Sequence, residues 1–158
     1  MIVKTKKYKL ETKTYIWLAF KNILVDLWWV WLIPAAILIG SFFIEGALGW
    51  GIGISIALIV LYILFWLIQF TGITQMEQNK ILFEKLSYEI DSRQILIKLN
   101  SKQGMPVTWD KIQTVKKGKD EYLFILSKAQ FIHLPYKVFK SENEVKFVET
   151  ILKRKNLI

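Results

Sequence analysis

Two long runs of apolar residues dominate the first half of the chain. They cover residues 23–43 and 52–70 and are joined by a glycine-rich link, residues 44–51. A membrane hydrocarbon core about 30 Å thick is crossed by roughly 20 helical residues, so each run is long enough to span it. Asp26 is the one charged residue within the two runs. The pattern therefore predicts a transmembrane helical hairpin.

Small residues recur at four-residue spacing along this predicted hairpin. Such a stripe lets two helix backbones approach closely, so it indicates packing of the two helices on each other or, as the alternative, a homo-oligomer. Pro34 lies in the middle of the first run, where a proline can kink a membrane helix. The small residues are Ala36, Gly40, Gly49, Gly53 and Ala57.

Beyond Thr71 the apolar residues alternate with polar ones, which is the period of a strand with one buried face. The alternation predicts six short strands, and residues 2–10, where apolar residues alternate with lysines, predict a seventh. The sequence leaves open whether that first strand joins the others in one sheet. The six strands cover residues 86–90, 95–99, 105–109, 112–116, 122–126 and 131–134.

An amphipathic helix is predicted at the C-terminal end. Ser141 is a favoured N-cap residue, and Glu144, three residues later, completes a capping box. Val145, Val148 and Leu152 then form an apolar stripe along one face of the helix.

These patterns together predict an α+β membrane protein of three parts. Residues 1–22 form a cytoplasmic N-terminal strand and a helix that leads into the membrane. Residues 23–70 form the transmembrane hairpin, and residues 76–158 form a cytoplasmic domain. That domain is expected to be an antiparallel β-barrel or sandwich of about seven strands, capped by the C-terminal helix.

The distribution of charge predicts the orientation. The net charge is +9, with six lysines in residues 1–22, sixteen basic residues in 76–158 and no basic residue in the link. Basic residues stay on the cytoplasmic side, so we expect a multi-pass protein of the cell membrane with both termini in the cytoplasm. The expected partner is the lipid bilayer with its anionic headgroups, and membrane anchoring argues against nucleic acid.

Residue types that carry catalysis or bind metals are scarce. The chain contains no cysteine and a single histidine, His133, so no thiolate site and no histidine cluster is expected. It also lacks a phosphate-binding glycine loop, a metalloprotease helix and a nucleophile elbow. We therefore expect no catalytic residue, no metal site and no cofactor, and a protein that is not an enzyme.

A basic turn lies between two of the predicted strands. It contains Lys116, Lys117 and Lys119 around Gly118. Such a turn either contacts anionic lipid headgroups or is merely solvated. The three lysines are the candidate lipid-binding residues.

Two short segments carry a family resemblance. Residues 107–115 read VTWDKIQTV, and residues 131–135 read FIHLP. Together with the order of two apolar helices, a strand meander and a terminal helix, they resemble the YcxB-like family of small bacterial membrane proteins. The resemblance implies a pleckstrin-homology-like (PH-like) domain of two nearly orthogonal sheets with the helix at one open end, and no established enzymatic activity. Its matching residues Trp109, Ile112 and Pro135 are assigned to packing.

Two functions compete at this point. The first is a non-enzymatic binding or regulatory module that displays a PH-like domain at the cytoplasmic face and engages lipid headgroups or another membrane protein. The second is an immunity or envelope-stress protection protein whose hairpin binds a membrane-active peptide or its target. The resemblance also points to the second, because some related PH-like membrane proteins are connected with resistance to such peptides.

Overall fold

The computed structural model describes residues 2–100 and 103–158, with the side chain of Gln78 excepted. It contains two compact units. The helical unit comprises Lys13–Gln75, and the β unit comprises Met1–Thr12 together with Met76–Ile158. The N-terminal residues therefore belong to the same unit as the C-terminal half of the chain, although the apolar helices separate the two segments in sequence.

The helical unit contains three α-helices. They are α1 (Thr12–Asp26, whose first residue belongs to the β unit), α2 (Leu32–Ser41) and α3 (Leu48–Gln75), and a 3-10 helix at Trp28–Trp31 precedes α2. Within the described residues, α3 is the one helix that is by itself long and apolar enough to cross a membrane. A second span exists only if Thr12–Asp26 and Trp28–Ser41, which are bent by 72°, are counted together.

The predicted helix over residues 23–43 is interrupted, and the interruption is at Leu27 instead of at Pro34, where the sequence allows a kink. The Val30 N–H donates to the Leu27 carbonyl at 3.0 Å, the short spacing of a 3-10 turn. Pro34 accounts for the 3-10 turn that precedes α2, because it has no N–H and in a continuous α-helix its ring would collide with the carbonyl of Val30. It is tolerated in the first turn of α2, where N–H groups have no partner within the helix.

Helices α2 and α3 meet through residues other than the predicted small-residue stripe. The Ser55 hydroxyl donates to the Pro34 carbonyl at 3.0 Å. A Cβ atom at Gly51 would collide with the Ser41 side chain, whereas one at Gly53 would meet nothing within 4 Å. The close approach is therefore made at Gly51 and Ser55, and the predicted stripe does not carry it.

The β unit contains eight strands among the described residues. The first sheet has the order β1-β3-β4-β5, with β2 also paired to β3, and the second has the order β6-β7-β8. All pairings are antiparallel. The strands are β1 (Val3–Lys4), β2 (Tyr8–Lys9), β3 (Lys85–Ile90), β4 (Gln94–Lys98), β5 (Gly104–Thr108), β6 (Thr114–Lys117), β7 (Glu121–Ile125) and β8 (Phe131–Pro135).

The strand predictions need three corrections. Residues 2–10 form two short strands, because the Thr5 hydroxyl accepts from the Tyr88 N–H at 2.9 Å and so replaces one backbone bond between them. Trp109 lies in a 3-10 helix, Trp109–Lys111, instead of on a strand. The described strands do not close into a barrel, because that helix separates β5 from β6 and the two are unpaired. Of the turn predicted at residues 100–104, Ser101 and Lys102 lie outside the described residues.

The predicted mixed α+β architecture, with antiparallel strands and a C-terminal helix, is confirmed. The last helix, α5, covers Glu142–Arg154, and a short α4 covers Glu77–Lys80 before β3. Ser141 caps α5 by accepting from the Glu144 N–H, as its sequence predicts. One core joins the inward faces of both sheets to α5. Its members include Leu86, Tyr88, Ile95, Ile97, Val115, Phe124, Leu134, Val148 and Leu152.

Candidate functional site

The three residues that carry the family resemblance lie in or beside the core. Trp109 is buried, and its indole N–H donates to the Asp91 carbonyl at 3.0 Å, which fastens the turn between β3 and β4. Ile112 is buried and ends the same 3-10 helix, its N–H donating to the Trp109 carbonyl. Pro135 is the last residue of β8. None of the three lies at an exposed chemical site.

The basic turn connects β6 to β7. Its closing bond runs from the Gly118 N–H to the Glu121 carbonyl at 2.9 Å. Lys117 ends β6 and forms an ion pair of 2.9 Å with Glu149 of α5. Lys116 is half-buried, whereas Lys119 is exposed to solvent. The structure thus places Lys116 and Lys117 at the end of β6 and Lys119 in the turn itself, and Lys117 contacts α5.

Glu149 organises the charges beside this turn. Its carboxylate contacts Lys117 at 2.9 Å and Lys153 at 3.0 Å. The hydrogen bond from Lys117 lowers the pKa of Glu149, and the same bond raises the pKa of Lys117. The pair is therefore charged at neutral pH, and Lys117 would have to leave Glu149 to bind a headgroup.

A shallow groove of about 570 Å³ runs beside the turn and along the start of α5. Its rim alternates cations with carboxylates: Lys140 and Lys146 with Glu142 and Glu149. The Glu144 carboxylate accepts from the Lys140 N–H at 2.7 Å, which completes the cap of α5. The carboxylates on the rim make the groove a mixed-charge surface. The N-terminus of α5 is already capped by its own side chains, so it is not a ready anion site.

A buried histidine connects the two sheets. His133 Nδ1 lies 2.9 Å from the Tyr8 hydroxyl, and His133 Nε2 lies 2.7 Å from a carboxylate oxygen of Glu121. The rings of Tyr8 and His133 also meet edge-on at 5.7 Å between centroids. Burial, and then the Glu121 and Glu11 carboxylates, raise the pKa of Tyr8. The phenol is thus held in its neutral form beside the imidazole.

In Tyr8–His133–Glu121 a hydroxyl, an imidazole and a carboxylate are connected in series by hydrogen bonds, an arrangement that proton-transfer sites also use. Its histidine is only 5% exposed, however, and both ring nitrogens already have partners. Its evident role is to bind the N-terminal strand of the first sheet to β7 and β8 of the second. Sequence reasoning had singled out His133 but missed its partners, since Tyr8 lies 125 residues away.

The helical unit contains an apolar groove of its own, about 320 Å³ in volume. Trp31, Pro34 and Tyr62 are among the residues that line it. The hydroxyl oxygen of Tyr62 is buried and makes no hydrogen bond within the described part of the chain.

Over residues 2–100 and 103–158, no three His, Cys, Asp or Glu side chains come together in a way that would hold a metal ion. Glu121 contacts one ring nitrogen of His133, and Tyr8 contacts the other.

The comparison with known proteins agrees with the resemblance seen in the sequence. Residues 90–152 match the family described as YcxB-like protein. The predicted resemblance to this family is confirmed over these residues. The match begins at the last residue of β3 and ends within α5, so it includes Trp109, Ile112 and Pro135 but none of α1 to α3. No curated protein and no solved structure matches the chain.

Proposed function

We propose that this YcxB-like chain is a membrane-anchored, non-enzymatic binding module that displays a PH-like domain at the cytoplasmic face. The observation that carries the proposal is the exposure of α3. Only 11% of the most apolar stretch of this 28-residue helix is buried. Ile54, Leu61 and Ile68 are 46%, 63% and 69% exposed. An apolar surface of this length requires an apolar solvent, which the bilayer supplies.

The β unit supplies the binding part of the proposal. Two antiparallel sheets with a terminal helix on their shared core support a PH-like arrangement. The unit also carries a basic turn, whose Lys119 is exposed. Anchoring keeps this surface at a high local concentration near lipid headgroups and other membrane proteins, so even weak contacts become effective.

The test begins with the full chain in native membranes. Membranes are washed with alkaline carbonate, which strips peripheral proteins, and a photo-crosslinking residue is placed at Lys119 in a second sample. We expect the protein to stay in the washed membranes and Lys119 to crosslink to lipid or to one membrane protein. Release of the protein into the wash would contradict anchoring, and absence of any crosslink would contradict the binding role.

A second function is favoured by the groove of the helical unit. Its apolar lining suits the apolar side of a peptide or lipid. This would fit a protective or immunity protein whose hairpin binds a membrane-active peptide. Deleting the gene and measuring sensitivity to such peptides separates the two functions, because only the protective function predicts increased sensitivity.

A further inference from the structure

An apolar groove of about 260 Å³ opens at one end of the first sheet. Leu86 and Ile97, which line it, belong to the buried core of the β unit. Ile81 and Met105, on its rim, are 46% and 48% exposed. The groove is thus an opening into the core, bordered by large apolar side chains that are left in water.

Both chain connections to the helices leave the β unit at this same end. Lys9, the last residue of β2, is the register partner of Lys85, the first residue of β3. Two residues separate Lys9 from the start of α1, and the chain returns from α3 through α4 and a 3-10 helix, Ile81–Phe83, to Lys85. The other side of the groove is near Gly104, which pairs with Lys98 at the same end of β4. We call this the tether end.

The partnership of Lys9 and Lys85 is electrostatically unfavourable. Like charges directly opposite each other in an antiparallel pair destabilise the sheet. Both lysines are exposed, and neither forms an ion pair within the described residues. Glu11 follows Lys9, and Glu77 and Glu84 precede Lys85 on the returning connection, so the whole end has mixed charge. An anionic surface in contact with the two lysines would relieve their repulsion.

We propose that the tether end rests on the phospholipid bilayer. Ile81 and Met105 enter the interfacial layer, the groove receives acyl-chain carbons, and Lys9 and Lys85 contact anionic headgroups. The inference rests on the proposed membrane anchoring and deepens it, because it names the surface of the β unit that meets lipid. Apolar side chains at an interface combined with basic residues are the general mode of peripheral membrane contact.

The absence of cysteine allows a direct test, because an introduced cysteine is the unique labelling site. An environment-sensitive fluorophore is attached to the full chain in nanodiscs that contain brominated lipid, which quenches at short range. Met105→Cys reports on the tether end. Arg93→Cys is the matched control, exposed in the turn at the opposite end of the same sheet. Ile56→Cys reports on the apolar surface of α3.

We expect bromolipid to quench the Met105→Cys label at least twofold more than the Arg93→Cys label, with strong quenching at Ile56→Cys. Equal quenching at Met105→Cys and Arg93→Cys, with Ile56→Cys still quenched, would overturn the inference and leave the anchoring intact. No quenching at Ile56→Cys would overturn both. A blue-shifted but unquenched Met105→Cys label would mean that protein, such as a second copy, covers the groove, and would also overturn the inference.

The charge contribution is tested with Lys9→Gln/Lys85→Gln in the Met105→Cys background. In discs with anionic lipid the double substitution should at least halve the quenching, and in zwitterionic discs it should leave quenching unchanged. Unchanged quenching in both kinds of disc would overturn the headgroup contact. Near-ultraviolet circular dichroism of the same samples confirms that the fold is kept, which is expected since the substitutions remove a repulsion.

Discussion

Tyr8 and His133 are joined by a hydrogen bond of 2.9 Å between the phenol oxygen and Nδ1, although 125 residues separate them. The other ring nitrogen of His133 contacts Glu121 at 2.7 Å. Tyr8 belongs to β2 of the first sheet, whereas His133 and Glu121 belong to the second. The N-terminal segment is therefore an integral part of the β unit, and it connects the two sheets.

Removing the Tyr8 hydroxyl should weaken the β unit measurably. In Tyr8→Phe the buried Nδ1 atom of His133 loses its partner, which costs about 1–3 kcal/mol of unfolding free energy. The measurement is chemical denaturation of the full chain in detergent, followed by near-ultraviolet circular dichroism. Tyr136→Phe is the control, because that hydroxyl makes a long, exposed bond of 3.3 Å to the Gly118 carbonyl. Equal stability losses in both variants would refute the connecting role of Tyr8.

Stability should fall in alkaline solution, and Tyr88 should contribute to the fall. Burial, with a smaller effect of Tyr8, raises the pKa of Tyr88 well above its usual value. An unfolded tyrosine ionises near pH 10, so the stabilisation is complete below about pH 10 and is lost as pH rises towards the folded pKa. The unfolding free energy should fall by up to about 1.4 kcal/mol per pH unit for such a group.

Tyr88→Phe isolates this contribution. Its unfolding free energy, measured between pH 8 and pH 11.5, should depend less steeply on pH than that of the parent above pH 10. Parallel curves for the two proteins would show that Tyr88 does not titrate differently in the folded state.

The contact between α2 and α3 should depend on Gly51 and not on Gly53. A Cβ at Gly51 would collide with the Ser41 side chain, whereas Gly53 has open space. Gly51→Ala should therefore lower the stability of the helical pair by about 1–3 kcal/mol, the usual cost of overpacking. Gly53→Ala should be neutral or slightly stabilising, since alanine favours helix. Unfolding in mixed detergent micelles provides the measurement.

Restoring space at Ser41 provides the decisive control. Ser41→Gly combined with Gly51→Ala should recover most of the lost stability, because the collision partner is gone. If Gly51→Ala and Gly53→Ala behave alike, the close approach at Gly51 is not a real constraint on the pair.

The lipid contact of Lys116, Lys117 and Lys119 stays a prediction. In nanodiscs with anionic lipid, backbone amides of residues 117–120 should exchange hydrogen at least twofold more slowly than in zwitterionic discs. The difference should shrink at high salt, because exposed charges are screened within about 8–10 Å. Substituting all three lysines by glutamine should remove it, whereas Arg93→Gln should not. The same exchange rates in both lipids would mark the turn as merely solvated.

Periodicity in the sequence predicted the features that depend on burial alone. Alternation located β3, β4, β7 and β8 to within a residue or two, and the apolar run predicted α3. The Ser141 cap was also predictable, because both of its partners lie within three residues. Local chemistry and burial are visible in sequence since each involves neighbouring residues.

Features that depend on partners far along the chain were not predictable. The Thr5 hydroxyl that divides the first strand meets Tyr88, and the Tyr8 phenol meets His133. Both contacts exist only once the N-terminal segment lies beside β3. The break at Leu27 was missed for another reason: the apolar pattern continues through it, and Pro34 indicated a kink in this run but not its position. For the candidate site, the sequence predicted the basic turn at Lys116–Lys119. It did not predict the ion pair between Lys117 and Glu149.

The central claim is a membrane-anchored chain whose β unit faces the cytoplasm, and a reporter fusion tests it most directly. A phosphatase that is active only outside the cytoplasm is fused after Ile158, and in a matched control it is fused after Gly46 in a chain truncated there. With no basic residue in the link and the basic excess elsewhere, we expect low phosphatase activity after Ile158 and high activity after Gly46. High activity of the Ile158 fusion would contradict the account.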